Sequence, residues 1–277
     1  MHWQTARYRI DLTQPRVMGI VNVTPDSFYD GGSHADAGAA MAHCDRLLAE
    51  GADMLDIGGE STRPGASTPS CSEELARVLP VLRHAVTLGV PISVDSSRPE
   101  VMRAALDAGA DIVNDVRALQ RPGALACLAA HPSAGVCLMH MQGEPGTMQA
   151  APVYGDVVLE VAAFLAARSQ ALVEAGIARE RIAVDPGIGF GKTVAHNLAL
   201  LARQRELLRL GLPLLVGWSR KSALGAVTGR PVGERAAASI AAALLAAQRG
   251  AAVLRVHDVA ATVDALKVWT AVGAAAP

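Results

Sequence analysis

Eight apolar runs in this chain each close on residues able to do chemistry. They end on Asn22, Asp56, Asp95, Asn114, His140, Asp185, Ser219, and Arg255 with His257. Carboxylates, amides and cations are costly to take out of water unless they meet each other or a ligand. Neighbouring backbone satisfies any single one of them as readily as a ligand does. A polar residue closing run after run points instead to a shared site. Asp95, Asn114 and Asp185 supply acceptors and an amide. That set suits a flat heterocycle with adjacent N–H donors, such as a pteridine or guanine, read in bidentate fashion. Arg63, Arg220, Lys221, Arg255 and His257 supply cationic groups at other run ends and loops, which suits phosphate or pyrophosphate. Together they describe a heterocycle carrying an anionic tail.

Three loops sharpen this. "NVTPDSFYDGG" (Asn22–Gly32) and "GGESTRPGAS" (Gly58–Ser67) mix Gly, Pro, Ser and Thr with charges of both signs. Ordinary surface turns have that composition; so do lids that close over substrate and exclude water. "DPGIGFGKT" (Asp185–Thr193) resembles a nucleotide loop but fails both spacings. Pro186 stands where a P-loop needs its first Gly, and Lys192 where a dinucleotide fingerprint needs its third. Asp before Pro favours an extended strand end, so Asp185 is the residue to watch and Gly-Lys-Thr reads as a turn into the next helix. Ser219, His257 and Asp258 contain the parts of a hydrolase triad, but Lys221 replaces the second Gly of a nucleophile elbow. Neighbours in a strand also point to opposite faces, which sets His257 against Asp258. No HExxH or similar metal spacing is present. Met139 and Met141 read as core or pocket wall.

The elements that must position these residues follow a repeat. "RVMGIVNV", "DMLDIGG", "PISVDS", "DIVNDV", "GVCLMH", "RIAVDPG", "PLLVGWS" and "VLRVHD" are continuous apolar runs, as expected for parallel strands covered on both faces. Helical stretches separate them. Leu75, Val78, Leu79, Leu82 and Val86 share a helix face. Ser70 and Glu73 form a capping box before them, and Pro80 should kink or disturb that helix. Gly51, Gly89, Gly109, Gly176, Gly211 and Gly250 mark helix ends. Eight such units predict an α/β (β/α)8 TIM barrel over residues 16–277, with a short hairpin-like extension over residues 1–15. An open doubly wound sheet is the rival. In the barrel, active sites occupy the C-terminal strand ends, where the polar residues stand.

Composition narrows the class. Of 277 residues 51% are hydrophobic but only 3% aromatic, so the core is aliphatic. A net charge of −1 gives no global attraction for nucleic acid or an anionic membrane. The four cysteines, Cys44, Cys71, Cys127 and Cys137, form no CxxC pair; a reducing, cytoplasmic setting is expected. The N-terminus has no signal-peptide core and no run is a membrane span. The Ala-rich stretch Ala236–Ala247 reads as a buried amphipathic helix.

"GIVNVTPDSFYDGG", "DIGGESTRPGA", "SVDSSRPEV", "IVNDVRAL", "LMHMQGEPGTMQ", "DPGIGFGKTVAHNL", "GWSRKS" and "RVHDV", in this order from about Gly19 to the C-terminus, resemble the dihydropteroate synthase family. Ser96 and Arg98 stand where that family often has Thr and Lys, Trp218 where Phe is commoner, and Tyr29 where a lid often has Ser. The resemblance implies condensation of (7,8-dihydropterin-6-yl)methyl diphosphate with p-aminobenzoate, in folate biosynthesis, by a Mg2+-dependent homodimer that sulfonamides inhibit competitively. It implies that Asp95, Asn114, Met139, Asp185 and Lys221 hold the pterin. Asn22, Thr62, Arg255 and His257 take the pyrophosphate, with Asn22 ligating Mg2+. Phe28, Thr62, Arg63, Pro64, Phe190 and Ser222 form the p-aminobenzoate pocket. Asp30, Arg63, Asp95, Asp185 and Lys221 are the catalytic residues it implies. Two rivals share the pterin barrel: a methyltetrahydrofolate methyltransferase, which has no pyrophosphate to grip, and a non-catalytic pterin-binding paralogue.

Overall fold

The computed structural model describes residues 1–24, 32–61 and 68–275. The chain opens with an antiparallel hairpin, β1 (His2–Gln4) and β2 (Arg9–Asp11). Eight parallel strands follow: β3 (Arg16–Asn22), β4 (Met54–Gly58), β5 (Ile92–Asp95), β6 (Ile112–Asp115), β7 (Gly135–Met139), β8 (Ile182–Asp185), β9 (Leu215–Val216) and β10 (Val253–Val256). Their lateral order is β8-β7-β6-β5-β4-β3-β10-β9. A parallel bridge from Val184 to Leu214 joins β8 to β9, so the sheet closes into a barrel and the open doubly wound alternative falls. Helices α1 (Gly32–Ala49), α2 (Cys71–Val86), α3 (Pro99–Asp107), α4 (Ala124–Ala129), α5 (Val157–Glu174) and α6 (Val194–Ala202) each follow one strand. Two helices, α7 (Ser222–Thr228) and α8 (Ala236–Gln248), follow β9, and α9 (Val259–Ala274) follows β10.

The period-2 alternation of a strand sorts the barrel's residues into two cores. One set, including Leu55, Ile57, Val94, Val113, Val136, Leu138, Val184 and Leu254, packs outward with the helices. The alternate set, Met18, Met54, Ile112, Cys137, Ala183, Leu215 and Val253, fills the barrel interior near its N-terminal end together with Trp3, Ile10 and Leu12. The hairpin is therefore the floor of the barrel. Trp3 is fully buried and its indole N–H donates to the Arg181 carbonyl at 2.9 Å. Arg7 grips the buried Asp111 carboxylate through Nε at 2.9 Å and a terminal nitrogen at 2.6 Å. Gly135 starts β7 where a Cβ would press on Thr5 at 3.0 Å, so its missing side chain admits the hairpin.

Local sequence signals explain the helices. Ser70 and Glu73 form the expected capping box at the start of α2. That helix runs on through Pro80, which lacks the N–H that would serve the Ala76 carbonyl. Its buried face passes through Glu74, Val78, Val81, Leu82 and Ala85. Glu74 takes an apolar-looking position because Ser96 Oγ donates to it at 2.6 Å and Arg98 pairs with it at 3.0 Å. Helix α8 buries Ser239, Ala242, Ala243, Ala246 and Ala247 but leaves Ala237, Ala241 and Leu245 exposed, so it is apolar on both sides rather than amphipathic. Among the described residues no helix is long and apolar enough to cross a membrane.

Candidate active site

One step of two residues along four of the inward-facing strand rows changes their chemistry. Above Met54 stands Asp56, above Ile112 stands Asn114, above Ala183 stands Asp185, and above Val253 stands Arg255. Register places Asp95 of β5 beside Asn114 of β6. The C-terminal mouth of the barrel is thus polar where its floor is apolar. Arg255 bridges two of these carboxylates, donating from Nε to Asp56 at 2.6 Å and from a terminal nitrogen to Asp95 at 2.8 Å. Asn114 donates its amide to the same Asp56 oxygen at 3.0 Å. The second Asp56 oxygen is buried and has no hydrogen-bond partner among the described residues.

The mouth holds its charges out of water, and the titration behaviour follows. Burial drives the Asp95 carboxyl up to about 7, against the opposing pull of Arg255. Burial also raises Asp185, opposed first by the Gly187 N–H on its Oδ1 at 2.7 Å and then by the cations of Lys221, Arg255 and Lys192. Lys221 moves down to about 8, through burial and then the repulsion of Arg255. Burial works against the Arg255 charge too, but Asp56 and Asp95 hold its pKa above the ordinary arginine value. A hydrogen-bonding ligand with complementary donors would relieve such a set, which makes the mouth the candidate site.

The loop after β8 is built around close backbone approaches. Gly187 and Gly191 have positive φ, and a Cβ on either would collide with the carbonyl of His140 or of Gln142. Glycine lets the loops after β7 and β8 interlock. Side chains fix the rest: Tyr154 donates to the Gly191 carbonyl at 2.8 Å, Gln149 to the Gly189 carbonyl at 2.6 Å, and Asn197 accepts from the Gly189 N–H at 2.7 Å. Phe190 is thereby held under Lys221, whose ammonium lies 4.2 Å from the ring centroid. Thr193 caps α6, as the turn reading of Gly-Lys-Thr predicts. Lys192 departs from that reading. It is buried, and its ammonium contacts His140 Nδ1, the His140 carbonyl and the Phe190 carbonyl.

The end of β10 tests the hydrolase alternative. Ser219 Oγ lies 2.9 Å from His257 Nδ1 and accepts from the His257 backbone N–H at 3.1 Å. Asp258 faces away and pairs with Arg220 at 2.7 Å, so no triad forms. That pair holds Arg220 at the edge of the site, where its charge still acts on His257. Burial, with Arg220 and Arg255 nearby, pushes His257 down to about 3. It is a neutral imidazole, not the cation its residue type suggested.

The structure gathers Asp95, Asn114, Asp185, Lys221 and Arg255 at one mouth. Asn22 ends β3, half-buried, opposite Gly58. Met139 ends β7, inward and buried, in register with Asp185. Ser222 is exposed at the first turn of α7. Phe28, Asp30, Thr62, Arg63 and Pro64 lie outside the described residues. Two groups stand at the site without an assigned role in the sequence reading. Asp56 ends the fully inward row of β4, a parity signal readable beside Met54. Asp115 accepts from Ser97 Oγ and from the backbone N–H groups of Arg117 and Leu119. It secures a turn in which Ala118 and Leu119 both adopt positive φ. No local sequence signal marks that turn. An open pocket of about 380 Å³ lies beside it, lined by Val116, Arg117, Arg121, Met139, Met141 and Phe164 among others.

Comparison with known proteins agrees with this geometry. A family model described as "Pterin binding enzyme" matches residues 18–257. The chain is 54% identical over 277 residues to the dihydropteroate synthase of Neisseria meningitidis serogroup B, covering 98% of this chain and 97% of that one. A solved Xanthomonas albilineans dihydropteroate synthase with 4-aminobenzoic acid superposes with a TM-score of 0.92 at 56% identity, covering 97% of this chain and 96% of that one. A Yersinia pestis dihydropteroate synthase with a sulfonamide drug complex superposes with a TM-score of 0.94 at 47% identity, over 99% and 100%.

Proposed function

Because the chain belongs to the pterin-binding enzymes, and among them to the dihydropteroate synthase family, we propose that its polar barrel mouth is where a dihydropterin and p-aminobenzoate are joined. The enzyme is a transferase that condenses (7,8-dihydropterin-6-yl)methyl diphosphate with p-aminobenzoate to give 7,8-dihydropteroate and pyrophosphate. Sulfonamides, as aromatic amines with an anionic group, compete for the second substrate's place. The observation that carries the site assignment is the buried Asp185 carboxylate in the inward row, facing the charges of Lys221 and Arg255.

In our reading Asp185 and Asp95 accept from the pterin ring N–H groups, Asn114 adds its amide, Met139 walls the ring, and Lys221 donates from above. Asn22, Thr62, Arg255 and His257 receive the pyrophosphate. His257 does so as a neutral donor, since its Nδ1 faces Ser219. Phe28, Thr62, Arg63, Pro64, Phe190 and Ser222 enclose p-aminobenzoate, with the Phe190 ring already seated against Lys221. Asp30 and Arg63 are the lid charges.

Asn22 fits a Mg2+ role. Its side chain is half-buried with no hydrogen bond among the described residues, and no cluster of His, Cys, Asp and Glu there offers a competing cage. Mg2+ is typically bound by one or two protein oxygens plus substrate phosphates. When bound it would neutralise charge developing on the leaving pyrophosphate. The protein's part in the reaction is to position and to balance charge. The C–O bond to the pyrophosphate breaks and its electron pair departs with the leaving group. The remaining methylene cation is conjugated with the electron-rich pterin, which makes an SN1-like course favourable. Asp95 and Asp185, and Asp30 from the lid, oppose that spreading positive charge. The amine nitrogen of p-aminobenzoate then forms the new C–N bond and loses a proton to solvent. Orientation against Phe190 is most of what this weak base needs.

Two wider proposals accompany this. All four cysteines are free thiols, in keeping with a cytoplasmic site of action. Exposed Val227, Leu245, Val268 and Val272 on α7, α8 and α9 leave apolar surface that a homodimer would cover. Pyrophosphate release decides the function: it should require both substrates and Mg2+. Release that is independent of p-aminobenzoate, or absent at saturation, rejects the assignment.

A further inference from the structure

We propose that Lys192 is a positioning residue for both ring subsites, its buried ammonium holding the loops after β7 and β8 in the register that aims Asp185 and Phe190. The inference rests on the assignment of Asp185 to the pterin and Phe190 to p-aminobenzoate. Lys192 is 3% exposed. Its ammonium has three N–H donors and three acceptors: His140 Nδ1 at 2.9 Å, the Phe190 carbonyl at 2.9 Å and the His140 carbonyl at 3.3 Å. His140 accepts at Nδ1 because burial and the Lys192 charge keep its imidazole neutral. No carboxylate touches the ammonium among the described residues. Burial pushes the Lys192 pKa down to about 7, with Asp185 the opposing charge, and a buried amine is a costly way to fill space that an apolar residue would fill more cheaply.

The contacts show what the cation does there. The residue it holds on one side, His140, also donates its backbone N–H to the Asp185 carbonyl at 3.0 Å. The residue it holds on the other side, Phe190, carries the ring that lies beneath Lys221. One ammonium therefore ties the backbone behind the pterin acceptor to the backbone beneath the second substrate's wall. Its charge also favours the ionised form of Asp185. The loop keeps independent ties through Gln149, Tyr154 and Asn197, so removing Lys192 should loosen the register without unfolding the loop.

The test is Lys192→Met, which keeps length and loses the charge and donors. Steady-state kinetics would vary each substrate well below the melting temperature, with Tm measured in parallel. We expect the KM for the pterin diphosphate and the KM for p-aminobenzoate to rise together, each about tenfold, the size of one charged hydrogen bond lost. Affinity for inorganic pyrophosphate should stay within twofold, since Asn22, Arg255 and His257 stand on other strands. A lowered Tm with both KM values within twofold of wild type would make Lys192 purely structural and overturn the inference. If Lys192→Met does not fold, His140→Leu removes one acceptor and leaves the lysine; the same paired rise, smaller, is expected, and unmoved KM values overturn the inference. Asp185→Asn is assayed beside them by calorimetry with the pterin. Normal pterin affinity in that variant overturns the subsite assignment itself. Lost affinity there, with unmoved KM values in Lys192→Met, overturns only the role given to Lys192.

Discussion

The floor and the mouth of this barrel are built from the same strands, two residues apart, and they behave as opposites. At the floor, Met18, Met54, Ile112, Cys137, Ala183, Leu215 and Val253 close around Trp3, whose indole N–H is paired with the Arg181 carbonyl. At the mouth, Asp56, Asn114, Asp185 and Arg255 occupy the next inward positions, and one buried oxygen of Asp56 has no partner among the described residues. The floor is apolar except for the buried Ser93 hydroxyl beside Ile112, and it stabilises. The mouth keeps desolvated charge. The strand backbone does not distinguish the two ends; the residue chosen at each inward position does.

Substitutions at the two ends should separate these roles. Trp3→Ala at the floor is expected to cost about 3–5 kcal/mol of stability while leaving both KM values near wild type at low temperature. Denaturant unfolding with kinetics on the folded fraction checks it; a large KM change would show that floor and mouth are coupled. Asp185→Asn at the mouth should do the reverse, cutting kcat/KM by about 10²–10³, the scale seen on removing one preorganised electrostatic contact. Tm should hold or rise, because a buried carboxylate is replaced by a neutral amide. A near-normal rate in pyrophosphate release would remove Asp185 from the chemistry.

The pH profile sharpens the contrast further. Lys221 has its pKa lowered to about 8 by burial and then by Arg255. Its ammonium is lost as pH rises through that value, so kcat/KM should fall about tenfold for each pH unit beyond it. Lys221→Arg stays charged and should lose that alkaline limb; a limb that persists belongs to another group. On the acid side Asp95, raised to about 7 chiefly by burial, should protonate as pH falls and weaken pterin binding well above the ordinary carboxylate range. The smallest effect belongs to neither end. Ser70→Ala, removing the α2 cap, should cost about 1 kcal/mol in thermal or denaturant unfolding with no change in KM.

What the sequence made legible follows from the range of the interactions involved. The eight strands, the barrel and the capping box are written in local patterns, with each apolar run closing on its polar residue. Asp95, Asn114 and Asp185 were readable as polar groups of the barrel mouth because a strand end is a local feature. Their partners were not. Arg255 meets Asp56 across 199 positions, and barrel closure alone decides that meeting. Lys192 meets His140 across 52 positions, so a motif read as a turn conceals a buried cation. Residue type alone does not show that Arg220 pairs with Asp258 or that burial pushes His257 down to about 3. The lid residues Phe28, Asp30, Thr62, Arg63 and Pro64 carry sequence expectations and stand outside the described residues.

The sealed floor has a consequence for traffic. A vessel closed below by the hairpin is entered and emptied from above, so everything the reaction handles shares one doorway. A ring seated on Asn114 and Asp185, both nearly buried, lies deeper than one resting on Phe190 and the exposed Ser222. On the proposed assignment the pterin must be seated before the aromatic amine covers it, and once the new C–N bond has joined them the two leave through that mouth as one molecule.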